Sequence, residues 1–393
     1  MAAKLGKLTP QANAATAAST AAAFYAVAME RSIELPTQNY SAGNTLNFSL
    51  PPSGIGTYVT VSFKGTLTVT SGATVSQPTA SPWYPYNILN IAYSDYLAFP
   101  RCNASGWQLK ELEMMRAFQF DPANVYGVTP QTAQTNGTAS ISSAAAAVSF
   151  ANQVPTAVAS SSPTEPIAFS FIVPISTSKN TVKGSHLFNI TGAVDTLGVV
   201  CNPATGAANA ADAPLTVPVP ADTQCSISGT VDVCYYYMDW PAGAQVPTNE
   251  LLLAHQVNSI TQTQNINAGT LYQFLVPTGF IYSRFITQFV NGGVPDTTDI
   301  TQVSFYLDAN TPVHTENLQP YLRRIISTYG HQFPDGAFIT DLSTRPVNSN
   351  SYSQVAINLQ LNNTIVTSSP FMRTLSDALT LQNQNLQALG AQG

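Results

Sequence analysis

The residues of this 393-residue chain best suited to proton transfer, nucleophilic attack or metal ligation are four histidines, at 186, 255, 314 and 331, and four cysteines, at 102, 201, 225 and 234. Their spacing favours none of these chemistries. No pair of cysteines has C-x-x-C spacing, and no histidine lies close enough to one to propose a zinc site. The chain contains no G-x-S-x-G elbow, no Walker A loop, no G-x-G-x-x-G and no H-E-x-x-H. A triad assembled by the fold rather than by spacing stays open. The reading is of a protein without catalytic residues, cofactor or metal. Cys234 lies in a strand-like run and reads as a small buried apolar group. Four thiols in so long a chain form no disulfide framework, which fits folding in a reducing compartment, with a single bridge left open.

Two further groups of residues invite a binding function. Trp83, Tyr84 and Tyr86 could line a sugar site or fill a core. Asn47, Asn103, Asn136, Asn189 and Asn362 each begin an N-x-Ser/Thr triplet, in a chain whose richness in these residues generates such triplets by chance. Nucleic acid is an unsuitable partner. The net charge is −6, and the 14 Lys and Arg are scattered, with Arg323-Arg324 the one adjacent pair. Charged residues make up 9% of the chain against roughly 25% in ordinary soluble domains. The surface must then be built from Ser, Thr, Asn and Gln, which suits extensive neutral contact with other proteins.

The elements that would carry such a surface are mostly strands. Thr45–Leu50, Tyr58–Thr70 with an interruption at Gly65, Tyr86–Phe99, Ile167–Ile175, His186–Thr191 and Ile227–Met238 read as extended, as do Leu251–Ile266, Tyr272–Val276, Phe280–Val290, Val303–Leu307 and Tyr352–Leu361. Residues 129–162 and 201–224 read as loops. Two helices interrupt this grammar. Leu318, Leu322, Ile325, Ile326 and Tyr329 fall on one face of a helix capped by Asn317 and ended by Gly330, followed by the turn Pro334-Asp335-Gly336 and a strand from Ala337 to Thr340. Gly106–Phe118 is the second, with Trp107, Met114, Met115 and Phe118 on one side, Glu111 intruding there and Leu109 and Leu112 opposite. Each half is thus several strands, one helix and further strands, so two copies of one β-sandwich unit account for the chain, with a boundary at Pro241, Gly243 and Pro247. Residues 8–29 are uncharged and alanine-rich. They read as a docked helical arm, with a removed signal peptide and a membrane span as alternatives.

The order of these landmarks resembles the double jelly-roll major capsid proteins of membrane-containing icosahedral bacteriophages, the tectivirus type. The resemblance rests on the Ala/Gln-rich arm, on Ser105-Gly106-Trp107 opening the first helix, and on Asn291-Gly292-Gly293 after a long strand. Its closest run is Arg323-Arg324-Ile325 leading to Phe333-Pro334 and Gly336, with Arg345-Pro346 beyond. It spans most of the chain but leaves the loops 129–162 and 201–224 unmatched. It implies a mainly all-β fold of two tandem eight-stranded jelly rolls, each with a short helix, plus an N-terminal helical arm: residues 1–36 the arm, 37–245 and 246–381 the two rolls, 382–393 a tail. It also implies a pseudo-hexagonal homotrimer in a virion capsid, with neighbouring capsomers and minor capsid proteins as partners, folded in the host cytoplasm and making no direct nucleic-acid contact. The arm would face an internal viral membrane, Lys4 and Lys7 meeting anionic headgroups and Phe24 and Tyr25 offering apolar contact. The rival reading is a secreted β-sandwich adhesin or carbohydrate-binding protein, processed near Ala23 to Ala28.

Overall fold

The computed structural model describes residues 10–81, 83–117, 154–186, 194–206, 212–218, 222–242, 244–263, 271–291, 294–308, 312–329, 336–362 and 371–381. Within them the chain opens with helix α1 (Pro10–Val27) and then forms eight strands of five residues or more: β1 (Met29–Glu34), β2 (Thr45–Leu50), β3 (Ile55–Ser71), β4 (Leu89–Ser94), β5 (Pro100–Ser105), β6 (Thr164–Pro174), β7 (Asp195–Cys201) and β8 (Thr223–Asp239), with α2 (Gly106–Ala117) after β5. A second set of eight follows: β9 (Leu253–Thr263), β10 (Leu271–Leu275), β11 (Phe280–Asn291), β12 (Ile300–Leu307), β13 (Pro312–Asn317), β14 (Ala337–Asp341), β15 (Val355–Leu361) and β16 (Phe371–Leu381), with α3 (Leu318–Tyr329) after β13.

The two sets pair in one order. In the first, β1-β8-β3-β6 faces β2-β7-β4-β5; in the second, β9-β16-β11-β14 faces β10-β15-β12-β13. Adding eight to each strand of the first sandwich yields the second, so the fold is two jelly rolls in tandem, each with its helix between the fifth and sixth strands. They are joined in hydrogen bonding. Strands β5 and β9 pair in parallel, so β2-β7-β4-β5 and β9-β16-β11-β14 make one continuous sheet across both rolls.

Alternation places the core. Along β2, Leu46, Phe48 and Leu50 turn inward while Thr45, Asn47 and Ser49 stay exposed, the period-two pattern of a half-buried strand. On α3 the buried residues are Tyr321, Leu322, Ile325 and Tyr329, with Leu318 and Ile326 half-buried. The predicted face is therefore right but omits Tyr321, whose hydroxyl donates to Ile339 O at 3.2 Å. Helix α2 departs further from expectation. Trp107, Gln108, Leu109, Glu111, Leu112 and Met115 are all buried, so the helix has no single apolar stripe because it is enclosed on several sides. Burial pushes the Glu111 carboxyl well above the usual carboxylate range.

Several expectations need correcting. Met29–Glu34, assigned to the arm, is a strand paired with β8. Gly65 does not interrupt β3. It sits opposite Gly229 of β8, and a Cβ on it would lie 2.2 Å from Ser228 O, so the two glycines let 17-residue strands pass unbroken at close approach. Tyr86–Ile88 is a 3₁₀ turn that precedes β4, and β5, β7, β13 and β16 have no counterpart in the sequence reading. The strand expected over His186–Thr191 lies outside the described residues after His186, as do Gly330, Pro334, Asp335 and most of the loop 129–162. Gly336 is described, at φ +72°, where a Cβ would meet Phe289 O at 2.5 Å.

Gly65→Ala is expected to lower stability by about 1–3 kcal/mol through overpacking against the β8 backbone, read as a lower urea midpoint at unchanged slope.

Candidate functional site at the junction of the two sandwiches

The parallel pairing of β5 with β9 is short, Cys102 opposite Val257 and Asn103 opposite Asn258. Two residues of ladder hold little, and the side chains around them do the rest. The loop after β6 wedges into the seam at Gly184. Its N–H donates to Glu250 O at 2.9 Å, and its carbonyl accepts from His255 N at 2.7 Å and from Arg101 Nη1 at 3.0 Å. A Cβ at Gly184 would lie 2.7 Å from that of His255, at φ +82°, so glycine is required twice over. Gln256 Nε2 donates to Pro100 O at 2.7 Å, and Gln108 Nε2 of α2 donates to Ser259 Oγ at 3.0 Å.

At the centre is Asp377 on β16. The register sets it opposite Val257 of β9 and Arg284 of β11, and the last turn of α2 brings Arg116 to it from the first sandwich. Arg116 Nη2 donates to Oδ1 at 2.9 Å, Arg284 Nη1 donates to Oδ2 at 3.1 Å, and His255 Nε2 lies 2.6 Å from Oδ1. Burial alone would raise the Asp377 carboxyl, but Arg116, the His255 hydrogen bond and Arg284 hold it well below the usual carboxylate range. Burial is the main reason the His255 imidazole titrates below its ordinary value, against the pull of Asp377. The cluster is therefore a carboxylate between two guanidiniums with a neutral imidazole. His255 Nε2 also lies 3.0 Å from Arg116 Nη2, so imidazole, guanidinium and carboxylate meet in one three-way contact. Arg373, also on β16, adds a second strut, its guanidinium donating to both carboxylate oxygens of Asp212 in the first sandwich, at 2.8 Å for Nη2 to Oδ2.

A second buried cluster lies in the first sandwich. Asp195 accepts from Tyr93 Oη at 2.6 Å and from Tyr96 N at 2.8 Å, and His186 Nε2 lies 2.9 Å from it. Burial would raise this carboxyl, and His186, Tyr93 and Tyr96 together bring it below its ordinary value. Arg101 Nε donates to Asp95 Oδ2 at 3.0 Å with both side chains buried. In an open cleft a His–Asp pair reads as a general base. Here His186 and His255 are each 1% exposed, so no substrate reaches them, and the pairs are structural. Among the described residues no group of His, Cys, Asp and Glu could hold a metal ion, and all four cysteines are free. A cleft of about 230 Å³ beside α2, lined in part by Tyr58, Arg116 and Lys179, is smaller than an ordinary small-molecule pocket of roughly 300 Å³ or more.

Of the arm residues singled out from sequence, Phe24 and Tyr25 are described, and both pack against the body of the chain. Phe24 is 1% exposed, in an apolar cluster with Ile55, Val182, Met238 and Leu251 and 5.8 Å from the Trp240 ring. Tyr25 is half-buried. Its hydroxyl lies 2.9 Å from Thr181 Oγ1, accepts from Val182 N at 2.9 Å and donates to Glu250. Phe24 and Tyr25 thus anchor the end of α1 to the chain's own body, and Phe24 has no apolar surface left to offer a membrane. Lys4 and Lys7 lie outside the described residues. Trp83, Tyr84 and Tyr86 are buried, which removes them as a sugar platform. No helix among the described residues is long and apolar enough to cross a membrane. Sequence reasoning passed over the junction residues because Arg116, His255, Arg284 and Asp377 are scattered over 261 positions. The one local signal was charge, Arg373 and Asp377, within the otherwise uncharged run Phe371–Leu381.

No family model matches the chain, and no curated protein does. Solved structures match it over nearly its whole length. The STIV MCP, a major capsid protein, is similar with a TM-score of 0.62 and 14% identity over 92% of this chain and 99% of that one. The atomic structure of Sulfolobus Turreted Icosahedral Virus contains a chain similar at TM-score 0.61 and 14% identity, over 92% of this chain and 93% of that one. The PBCV-1 virus capsid contains one at 0.52 and 9%, over 90% and 95%. At these identities the likeness is one of fold, and that fold is the double jelly roll of major capsid proteins.

Breaking the junction has a direct cost. Asp377→Ala leaves two guanidiniums without their shared anion and should destabilise the protein by about 3 kcal/mol, measured by urea unfolding. The pH dependence has a defined sign. An unfolded His255 binds a proton near 6.5 while the folded one resists it, so stability falls as pH drops below about 6.5. Ionised Asp377 adds a further loss below about 4, where the unfolded carboxyl takes up its proton first. His255→Gln should flatten the slope of urea midpoint against pH between about 5 and 6.5. A slope identical to that of the parent protein would remove His255 as its source.

Proposed function

We propose that this chain is a viral major capsid protein. Three copies would stand as a pseudo-hexagonal trimer that tiles an icosahedral shell over an internal membrane, with neighbouring capsomers and minor capsid proteins as its other partners. The observation that carries this reading is that the likeness covers both sandwiches at once, 92% of this chain and 99% of the STIV MCP, rather than one jelly roll, a unit that serves many functions. Composition supports it. With 9% charged residues, repeated copies meet across Ser, Thr, Asn and Gln and desolvate few charges. The buried charge cluster supports it too, because two sandwiches locked at a fixed angle are what a regular lattice requires. The work is mechanical and no bond is made or broken.

The arm has a divided role in this proposal. Phe24 and Tyr25 fix its end to the body, and the preceding residues, with Lys4 and Lys7, face the membrane and adjacent capsomers. Four free cysteines are in keeping with folding in a reducing host cytoplasm.

Light scattering should report a species of about three times the 41.7 kDa of one chain. A monomer that bound glycans on an array would replace this reading with the adhesin. For the arm, flotation with vesicles containing anionic lipid should lift the parent protein, and Lys4→Glu with Lys7→Glu should abolish that lift while leaving the oligomer intact. Equal flotation of both would remove the membrane-facing role of these lysines.

A further inference from the structure

Two strands of the fold behave unlike the rest. In β1 every residue is exposed except Ile33, which is half-buried; in β13 every residue is exposed except Glu316. Neither alternates, so neither has one face on a core. Each pairs on one side only, β1 with β8 and β13 with β12, and among the described residues the other edge of each has no strand against it. The most exposed large hydrophobic side chains described are Met29, at 59%, and Val313, at 53%, one on each of these strands. A strand open on both faces and along one edge is a site for pairing with another chain unless something covers it.

The molecule contains its own example of the cover. Strand β5 holds the place in the first sandwich that β13 holds in the second, at the end of its sheet and directly before the helix. Strand β9 holds the place of β1. Within the chain β5 and β9 pair in parallel, and there they are enclosed: Arg101, Cys102 and Ala104 of β5 and Ala254, His255, Gln256 and Val257 of β9 are buried. The contrast between β5 and β13 thus arises from what lies beside them, not from their place in a sandwich. Cys102 and Asn103 precede the first residue of α2 by four and three positions, and His314 and Thr315 precede the first residue of α3 by the same intervals.

We infer that β13, with His314 and Thr315 at its centre, pairs in parallel with β1 of a second copy of this chain, repeating between molecules the β5–β9 junction within each. Charge agrees with this assignment. The β13 side carries Arg323 and Arg324 on α3, beside His314 and Glu316; Arg324 Nε donates to Glu316 Oε1 at 3.0 Å, and Arg323 is exposed. The β1 side carries Glu30 and Glu34, with Arg31 held by Asp239 at 2.8 Å. One edge has an excess of positive charge and the other of negative. Because the contact joins different surfaces, each copy offers one edge and accepts at the other, and a ring closes when the turn at each junction allows it. The inference rests on the self-association proposed above and specifies its surface.

The test uses the full-length protein. Chains bearing Ser32→Cys and Thr315→Cys are co-expressed under different tags and treated with a short bismaleimide, with each variant alone as the control for the native cysteines. A covalent product joining the two tags, absent from the single-variant controls, is the expected result. Amide exchange at residues 29–34 and 312–317 should also be slower in the oligomer than in diluted protein. An oligomer without the mixed product and with equal exchange at both strands overturns this inference and leaves the capsid reading standing. A protein that never associates overturns both.

Discussion

Everything in this fold turns on a carboxylate that burial alone would neutralise. Asp377 stays ionised because Arg116 reaches it from the helix of one sandwich while Arg284 and His255 reach it from the sheet of the other. An ionised group in so buried a place is tolerated only with its partners, and those partners belong to different halves of the chain. The cluster therefore acts with the two-residue ladder, the Gly184 wedge and the Arg373–Asp212 strut in fixing how the two halves meet. The chain has eight arginines, and four of them, Arg101, Arg116, Arg284 and Arg373, lie buried or nearly so along this seam. In a protein so poor in charge, half of the strongest cations are kept out of the solvent-facing surface.

What could be read in the sequence was whatever local pattern decides. The strands β2, β3, β8, β11 and β15 alternate or run apolar against their turns, and α3 has a clean stripe, so a chain of strands punctuated by two helices and divided into two like halves was legible. What could not be read was decided by neighbours distant in sequence. Strand β16 is the clearest case. Phe371, Leu375, Ala378 and Leu379 recur at helical spacing, yet the run lies between β9 and β11, where two flanking ladders override local preference. Strand β13 is missed for the opposite reason, since a strand exposed on both faces has no alternation to detect.

The candidate site was less legible still. Its members come from α2, β9, β11 and β16, and nothing about His255 in isolation separates a buried partner of Asp377 from a surface imidazole. The arm shows the same limit in reverse. Phe24 and Tyr25 stand out from an alanine-rich helix and so attract a role at an outer surface, but the pocket they occupy is built from Ile55, Val182, Met238 and Leu251, which no reading of the arm could assemble.

The shared strand order has a consequence for descent. A chain whose ninth to sixteenth strands repeat the pairing of its first eight has the form of a duplicated gene, the two copies fused end to end. Before fusion, one sandwich would have met its neighbour through a single kind of seam, and any substitution there would have acted at every contact in the assembly. Fusion frees half of those contacts to diverge. One seam is internal, held at the effective concentration of a single molecule, and is closed around a buried ionic cluster. Among the described residues the matching edge of the second sandwich, β13, stays open, with Arg323 in solvent and Arg324 paired to Glu316, so the same edge of a repeated unit is closed in one sandwich and open in the other.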